Sequence, residues 1–393
     1  MKRVYLDHIA DTPVRPEVVE AMLPFLREKF GNAQSLHSEG QEAAAALEEA
    51  REKVAALIGA KASEIYFTSS GSEANNFALK GMALARKDKA RHLVISAIEH
   101  QSVLHSAKSL EKLGFETTLI PVDRFGLVDP QEVKKALRPD TALVSIMLAN
   151  SEVGTIQPIK EMAAFCREKG VPMHTDAVAA AGNIPVDVND LGVDALSLVG
   201  HQFYGPKGAG ALYLRKGTRI LPLIDGGIQE GGRRAGTEDV AAIVGLGKAA
   251  EIAQKEMASW AQALKPLRDR LLQELPKIIP HVIATGHPEH RLPYHASFCV
   301  EFIEGESMLL HLDMQGFATS SGSACTSRAL KASHVLLAMG LDHALAQGSI
   351  VLSLIDGITS EDIDRLLEVF PTIVERLRKM SPLYTQFLEG RKP

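Results

Sequence analysis

The feature that most constrains the fold of this chain is an alternation of short β-rich runs with helical patterns. EIYFT (64–68) precedes a helix pattern beginning near Ser72, and HLVIS (92–96) precedes another near Gln101. TALVSIMLA (141–149) precedes a helix starting after Pro158. VPMHTD (171–176), ALSLV (195–199) and GALYLR (210–215) continue the series. Short strands bounded by helices of about 10–15 residues predict an α/β fold, a mainly parallel sheet covered on both faces. A helical pattern over Ser259–Leu275 follows, and Pro276 and Pro280 predict a break after it. The remainder reads as a smaller α+β unit.

At 393 residues, with 46% hydrophobic and 23% charged side chains, the chain can build two domains and a substantial core. A net charge of −5 gives no reason to expect nucleic acid as a partner. The three cysteines, Cys166, Cys299 and Cys325, are too scattered for a disulfide framework or a C-x-x-C metal site, and no metal site is expected. A reduced, cytoplasmic compartment is the expectation. No apolar run reaches the roughly 18 residues of a membrane span. The start, MKRVYLDHIADTP, has no apolar stretch of the kind a secretory signal needs.

Three short motifs carry chemistry. FTSSGSEANN (67–76) reads as strand, tight turn and helix start. Backbone N–H groups of Gly71 and Ser72, the Ser72 hydroxyl and the helix dipole can hold a phosphate there. Ser72 is equally a good helix N-cap, and this signal alone does not choose between the two. HTDAVAAAGNIPVD (174–187) sets Asp176 near the end of a buried strand, where it is either a satisfied carboxylate in a turn or the partner of a cofactor nitrogen. SSGSACTSR (320–328) places Cys325 in a run of small and polar residues, a setting for an accessible thiol rather than a core cysteine.

The order of these pieces closely resembles the cysteine desulfurases of the class-V aminotransferase group. SGSEANN, EHQSVL (99–104), MLANSEVGTIQPI (147–159), HTDAV, HQFYGPKGAGALY (201–213), GRRAGTED (232–239) and SSGSACTSR occur in that family's order. YLDHIADTP near the start and GNAQSLHSEG (31–40) extend the resemblance over most of the chain. It implies the fold-type I architecture of enzymes using pyridoxal phosphate (PLP) and a homodimer with active sites at the subunit interface. The implied large domain covers 15–255, and the small domain joins 1–14 to 256–393 and carries the Cys325 loop. The family reaction takes L-cysteine to L-alanine and leaves a persulfide on a loop cysteine, for iron–sulfur or thio-cofactor assembly. By resemblance Cys325 is the persulfide nucleophile and His100 the ring-stacking, proton-moving histidine. Asp176 pairs with the pyridine nitrogen, Gly71 and Ser72 form the phosphate turn, and His201 precedes the Schiff-base position. Thr237 is a phosphate ligand given to the neighbouring subunit.

The chain departs from the family at the reacting atom. The Schiff-base lysine is Gln202, and a carboxamide nitrogen does not condense with an aldehyde. A phosphate-binding serine is Val199, a glutamine that bonds the PLP phenol is Ala179, and an asparagine near the same oxygen is Ser151. The arginine that clamps the substrate carboxylate is Val351. His8, Ile9 and Asp11 alter the N-terminal motif, and Ile228 replaces a glycine. Lys207 belongs to a turn that the family has in addition to its catalytic lysine. The expectation is a sulfur-transfer protein with lost or strongly impaired PLP catalysis, no Schiff base and a persulfide-accepting Cys325. Its partners would be sulfur donor or acceptor proteins, and PLP itself would be held weakly or absent. Two alternatives remain: a working desulfurase with non-covalent PLP, or a site repurposed for another ligand around His8, Asp11, His100, Asp176 and His201.

Overall fold

The computed structural model describes residues 2–322 and 332–390. The strands, in chain order, begin with β1 (Val4–Tyr5), β2 (Ile65–Thr68), β3 (His92–Ser96), β4 (Glu116–Ile120), β5 (Thr141–Ser145) and β6 (Met173–Asp176). They continue with β7 (Ala195–Val199), β8 (Gly210–Leu214), β9 (Val282–Ala284), β10 (His295–Val300), β11 (Phe317–Ala318) and β12 (Ser349–Ser353). Seven of them form the central sheet in the order β2-β8-β7-β6-β5-β3-β4. All neighbours are parallel except β8, which runs antiparallel to both β2 and β7. Every residue of β3, β5, β6, β7 and β8 is buried. That is why these strands stand out as near-continuous apolar runs: helices cover both faces.

Three differences from the sequence reading have physical causes. The run 141–149 is strand only to Ser145, after which the chain leaves the sheet toward the site. The edge strand β4 went unread because its residues ETTLI are polar and mostly not buried. The helix expected over 259–275 is the middle of one helix spanning Val240–Ile278, with Pro266 and Pro276 inside it. Its start is hidden by Gly245 and Gly247, poor helix formers. Both are packing glycines: a Cβ on Gly247 would lie 2.7 Å from Ala50 Cα, and one on Gly245 2.6 Å from Met22 Sδ.

That long helix, Val240–Ile278, contacts elements from both ends of the chain. Its length packs on the helices Pro16–Arg27 and Ser38–Leu57 and also on β9 and β10. β9, β10 and β12 form an antiparallel sheet; the helix Gly305–Met314 packs on β12, and the helix Ser360–Lys379 packs on that helix and on the long one. The N-terminal segment lies with these C-terminal elements: β1 pairs with β11, and Asp7 bridges to Ser353. Ser320 bridges to Val351. Ser320, Ser321 and Gly322 line one cavity with Ile98 and Met147, which follow β3 and β5, and so lie at the carboxyl ends of central strands, where open α/β sheets place their ligands.

Candidate active site

Asp176 ends β6 and is 5% exposed. Its Oδ1 accepts from the Val178 N–H at 2.9 Å and its Oδ2 from Asn75 Nδ2 at 2.6 Å. Asn75 lies on the helix Gly71–Asn76 and donates a second bond, 2.9 Å, to Ser102 Oγ. The Ser102 hydroxyl then faces His100 Nδ1 at 2.7 Å, and the Ser102 N–H also points at that nitrogen at 3.2 Å. With Nδ1 accepting, the proton of a neutral His100 sits on Nε2. Asp176 and His100 are therefore ends of one hydrogen-bonded chain, Asp176–Asn75–Ser102–His100. The sequence reading named both ends and missed both links.

The turn before that helix differs in detail from expectation. Ser70, not Ser72, is the N-cap, its hydroxyl accepting from the Glu73 N–H at 3.1 Å. Ser72 is exposed, which leaves its hydroxyl outside the capping role. Gly71 is required sterically, since a Cβ there would lie 2.6 Å from Val178 Cγ2. Thr237 is exposed on the segment between Arg233 and the long helix.

Gln202 closes the short turn Gly200–Gln202 after β7 and is 3% exposed. Its Nε2 donates to the Ile9 carbonyl at 3.0 Å, while its buried Oε1 has no partner among the described residues. Its main-chain carbonyl accepts from Asn183 Nδ2 at 3.0 Å and lies 2.9 Å from His8 Nε2. His8 stacks on Tyr294, ring centroids 4.0 Å apart, with Nδ1 2.9 Å from the Leu354 carbonyl. His201 is half-buried, and burial lowers its pKa against the opposing pull of Asp11, whose Oδ1 lies 3.4 Å from Nδ1. Asp11 also pairs with Lys207, whose side chain is 75% exposed. Val199, Ala179 and Val351 are buried, and they offer no side-chain donor where the family pattern has one.

Beside His100 lies a cavity of about 110 Å³, lined among others by Asp7, Glu99, Glu152, Ser320 and His334. Burial pushes the Glu99 carboxyl up to about 8, with bonds from Ser96 and Met147 acting against it. Burial likewise pushes Glu152 up to about 7, opposed by its bond from Ser333. A larger groove of about 460 Å³ lies at the opposite ends of β6 and β7, beside Asp194 and Arg215 and away from Asp176. Cys325 lies outside the described residues. Cys166 and Cys299 are buried, and burial lifts both thiols to about 12. Among the described residues no group of three or more His, Cys, Asp or Glu is placed to hold a metal ion. His8, Asp11, His100, Asp176 and His201 thus form no such group.

The set fits PLP in part. Asp176, buried and backed by Asn75, suits a pyridinium nitrogen. His100 and the Gly71 turn suit its ring and phosphate. The carboxamide of Gln202, bonded to Ile9 and with an orphaned oxygen, does not suit a covalent anchor.

The class-V aminotransferase family matches residues 4–366. The chain belongs to that family. A cysteine desulfurase IscS of Dictyoglomus turgidum is 52% identical over 393 residues, all of both chains. One from Methanosarcina thermophila is 53% identical over 382 residues, 97% of this chain and 94% of the relative. Among solved structures, a NifS-like protein superposes with a TM-score of 0.89 at 40% identity, covering 95% of this chain and 100% of its own. The fold is thus the α/β architecture of fold-type I cysteine desulfurases. PLP is the cofactor expected of this family. Among the described residues no helix is long and apolar enough to cross a membrane.

Proposed function

We propose that this class-V aminotransferase relative is a sulfur-transfer protein in which PLP catalysis is lost or strongly impaired and Cys325 accepts persulfide sulfur. The observation that carries the reading is Gln202, a buried carboxamide tied to the Ile9 carbonyl where a nucleophilic amine is needed. The relatives, named as cysteine desulfurases, support the sulfur chemistry. When bound, PLP supplies an electron sink for a substrate amine. Toward it, Asp176 would hold the pyridine nitrogen, His100 would carry a proton on Nε2, and Gly71 would admit the phosphate. The buried apolar Val351 leaves a substrate carboxylate without a guanidinium clamp.

In the transfer step the Cys325 thiolate attacks the outer sulfur of a donor persulfide. A new S–S bond forms on Cys325, the donor's S–S bond breaks, and the donor leaves as its thiolate, so no oxidant is consumed. Peptide mass spectrometry after incubation with an active desulfurase and cysteine should find the added sulfur on Cys325. Alkylation should be faster at Cys325 than at Cys166 and Cys299, whose buried thiols ionise only near pH 12. Borohydride reduction should yield no pyridoxyl-lysine. A pyridoxyl adduct on Lys207, or a Cys325 that reacts slowest and gains no sulfur, would remove this reading.

The intact Asp176–Asn75–Ser102–His100 chain favours a second reading, a working desulfurase with PLP held non-covalently. Sulfide release from cysteine that appears on adding PLP to the protein alone would establish it.

A further inference from the structure

We propose that Glu152 is a positioning residue for the Cys325 thiol, one carboxylate oxygen bracing both chain ends that flank the segment 323–331. The inference rests on the reading of Cys325 as a sulfur acceptor and names what holds its flanks. Cys325 lies three residues beyond the first flank, Gly322. On the second flank, Ser333 donates its hydroxyl proton to Glu152 Oε2. The same oxygen packs on Gly322: a Cβ there would lie 2.9 Å from Oε2 and 3.6 Å from Ser333 Cβ. Gly322 has no positive φ, so room and not backbone conformation calls for a glycine. The two flanks therefore meet at a single atom.

Each partner is fixed by bonds of its own. Asn150 Oδ1 accepts from the N–H of Glu152 at 2.8 Å and of Val153 at 3.1 Å, and Asn150 Nδ2 donates to the Ile98 carbonyl at 3.0 Å. The carboxylate thus stands on a turn tied between the exits of β5 and β3. Ser320, two residues before Gly322, exchanges backbone bonds of 2.7 and 3.3 Å with Val351 of β12. The Ser333 oxygen accepts from the N–H groups of Val335 at 3.1 Å and Leu336 at 3.3 Å, which caps the helix His334–Ala338. A hydroxyl that already accepts twice has only its proton left to give, and Oε2 takes it. The end of a free glutamate would swing away from a methyl at position 322 at little cost. Here the swing breaks the Ser333 bond, so a change at one flank is felt at the other. Bracing both flanks on one oxygen restricts where a donor meets the Cys325 thiol. The role needs an acceptor oxygen and not a charge, and a carboxamide can fill it.

Hydrogen exchange read by mass spectrometry, with alkylation and sulfur uptake at Cys325, tests this in the whole chain. Gly322→Ala should speed exchange at the Val335 and Leu336 amides about fivefold, the worth of a helix cap. Glu152→Ala should do the same there and also speed exchange at the Ser320 amide. Gly322→Ala added to Glu152→Ala should change nothing more, because no oxygen remains to displace. Glu152→Gln should match wild type. Given an active donor desulfurase and cysteine, Glu152→Ala should take up sulfur at Cys325 about tenfold more slowly, while iodoacetamide reacts no more slowly, the split expected of lost positioning. Exchange in β3 and β7 should stay as in wild type, which a loss of fold would not allow. Gly322→Ala carries the test should Glu152→Ala fold poorly. Unchanged exchange at Val335 and Leu336 in Gly322→Ala, an additive double variant, or a Glu152→Gln no better than Glu152→Ala would overturn the proposal. Sulfur uptake by Glu152→Ala at the wild-type rate would overturn it too, whereas a wild type that takes up none removes the reading of Cys325 on which it rests.

Discussion

Relative to the family pattern, Gln202 and Val351 remove an amine and a guanidinium, and each is now tied into its surroundings. Gln202→Lys alone should leave cysteine turnover well below the about 1 per second or faster typical of enzymes. The new ammonium inherits the Ile9 carbonyl as a competing partner, and Val351 still provides no clamp. Adding Val351→Arg should raise sulfide release by more than the sum of the single changes, because anchor and clamp act on one transition state. A fast single lysine variant would show that the other losses matter little. Glu99 carries a pH prediction of its own. Its pKa is raised from 4.5 to about 8 on folding, so the native state binds the extra proton. Stability should therefore fall as pH rises through that window, since the unfolded chain ionises first. Glu99→Gln lacks this slope, so the melting temperature of wild type should drop relative to the variant between those values. Parallel profiles would mean that Glu99 ionises normally. Asp176, His100 and Gly71 could be proposed from sequence because their motifs are local. Asn75, Ser102, Glu99 and Glu152 were not assigned roles, because what each does depends on a partner far away in sequence.

At the level of elements, buried strands announced themselves and interfaces did not. HLVIS and ALSLV coincide with β3 and β7, since full burial on both faces demands an unbroken apolar run. The long helix Val240–Ile278 was read only in part, because its glycines serve contacts with Met22 and Ala50 that no local pattern reveals. The segment before it is fixed by another long-range contact. Arg51 donates to Glu230 through both terminal nitrogens, at 2.7 and 2.8 Å, and Glu230 Oε2 also accepts from the Phe67 N–H at 2.8 Å. Glu230 adopts φ 49°, a conformation costly for a side-chain-bearing residue, and this buried pair holds it there. Arg51→Met should destabilise the protein by about 3–5 kcal/mol, because it strands a buried carboxylate. The double variant with Glu230→Met should recover part of that loss in urea unfolding. An additive double variant would show that the pair is not energetically coupled.

At the scale of the whole molecule, we propose a large body of about 15–255 and a small one of 1–14 with 256–393. One continuous helix carries the chain from the first to the second, so the two are joined by a stiff element rather than a loop. We further propose that the working unit is a homodimer. Phe30 is 81% exposed, Leu36 91% and Ile228 78%, large apolar side chains left in water by a single chain. Ala33, Gln34 and Ile228 line one groove, so the segment around residues 30–36 and Ile228 belong to the same face. Thr237, nine residues beyond Ile228, is exposed as well, free to serve a neighbouring copy. Burying each large apolar side chain stabilises association by about 1.5–3 kcal/mol. Phe30→Glu with Leu36→Glu removes two such contributions and sets like charges against each other across a symmetric interface. The double variant should sediment as a monomer at concentrations where wild type is a dimer, with its circular dichroism unchanged. It should also lose whatever PLP affinity Thr237 confers, by the same factor as Thr237→Ala in the intact dimer. A wild-type chain that sediments as a monomer, or a double variant that stays dimeric, would place the interface elsewhere or remove it.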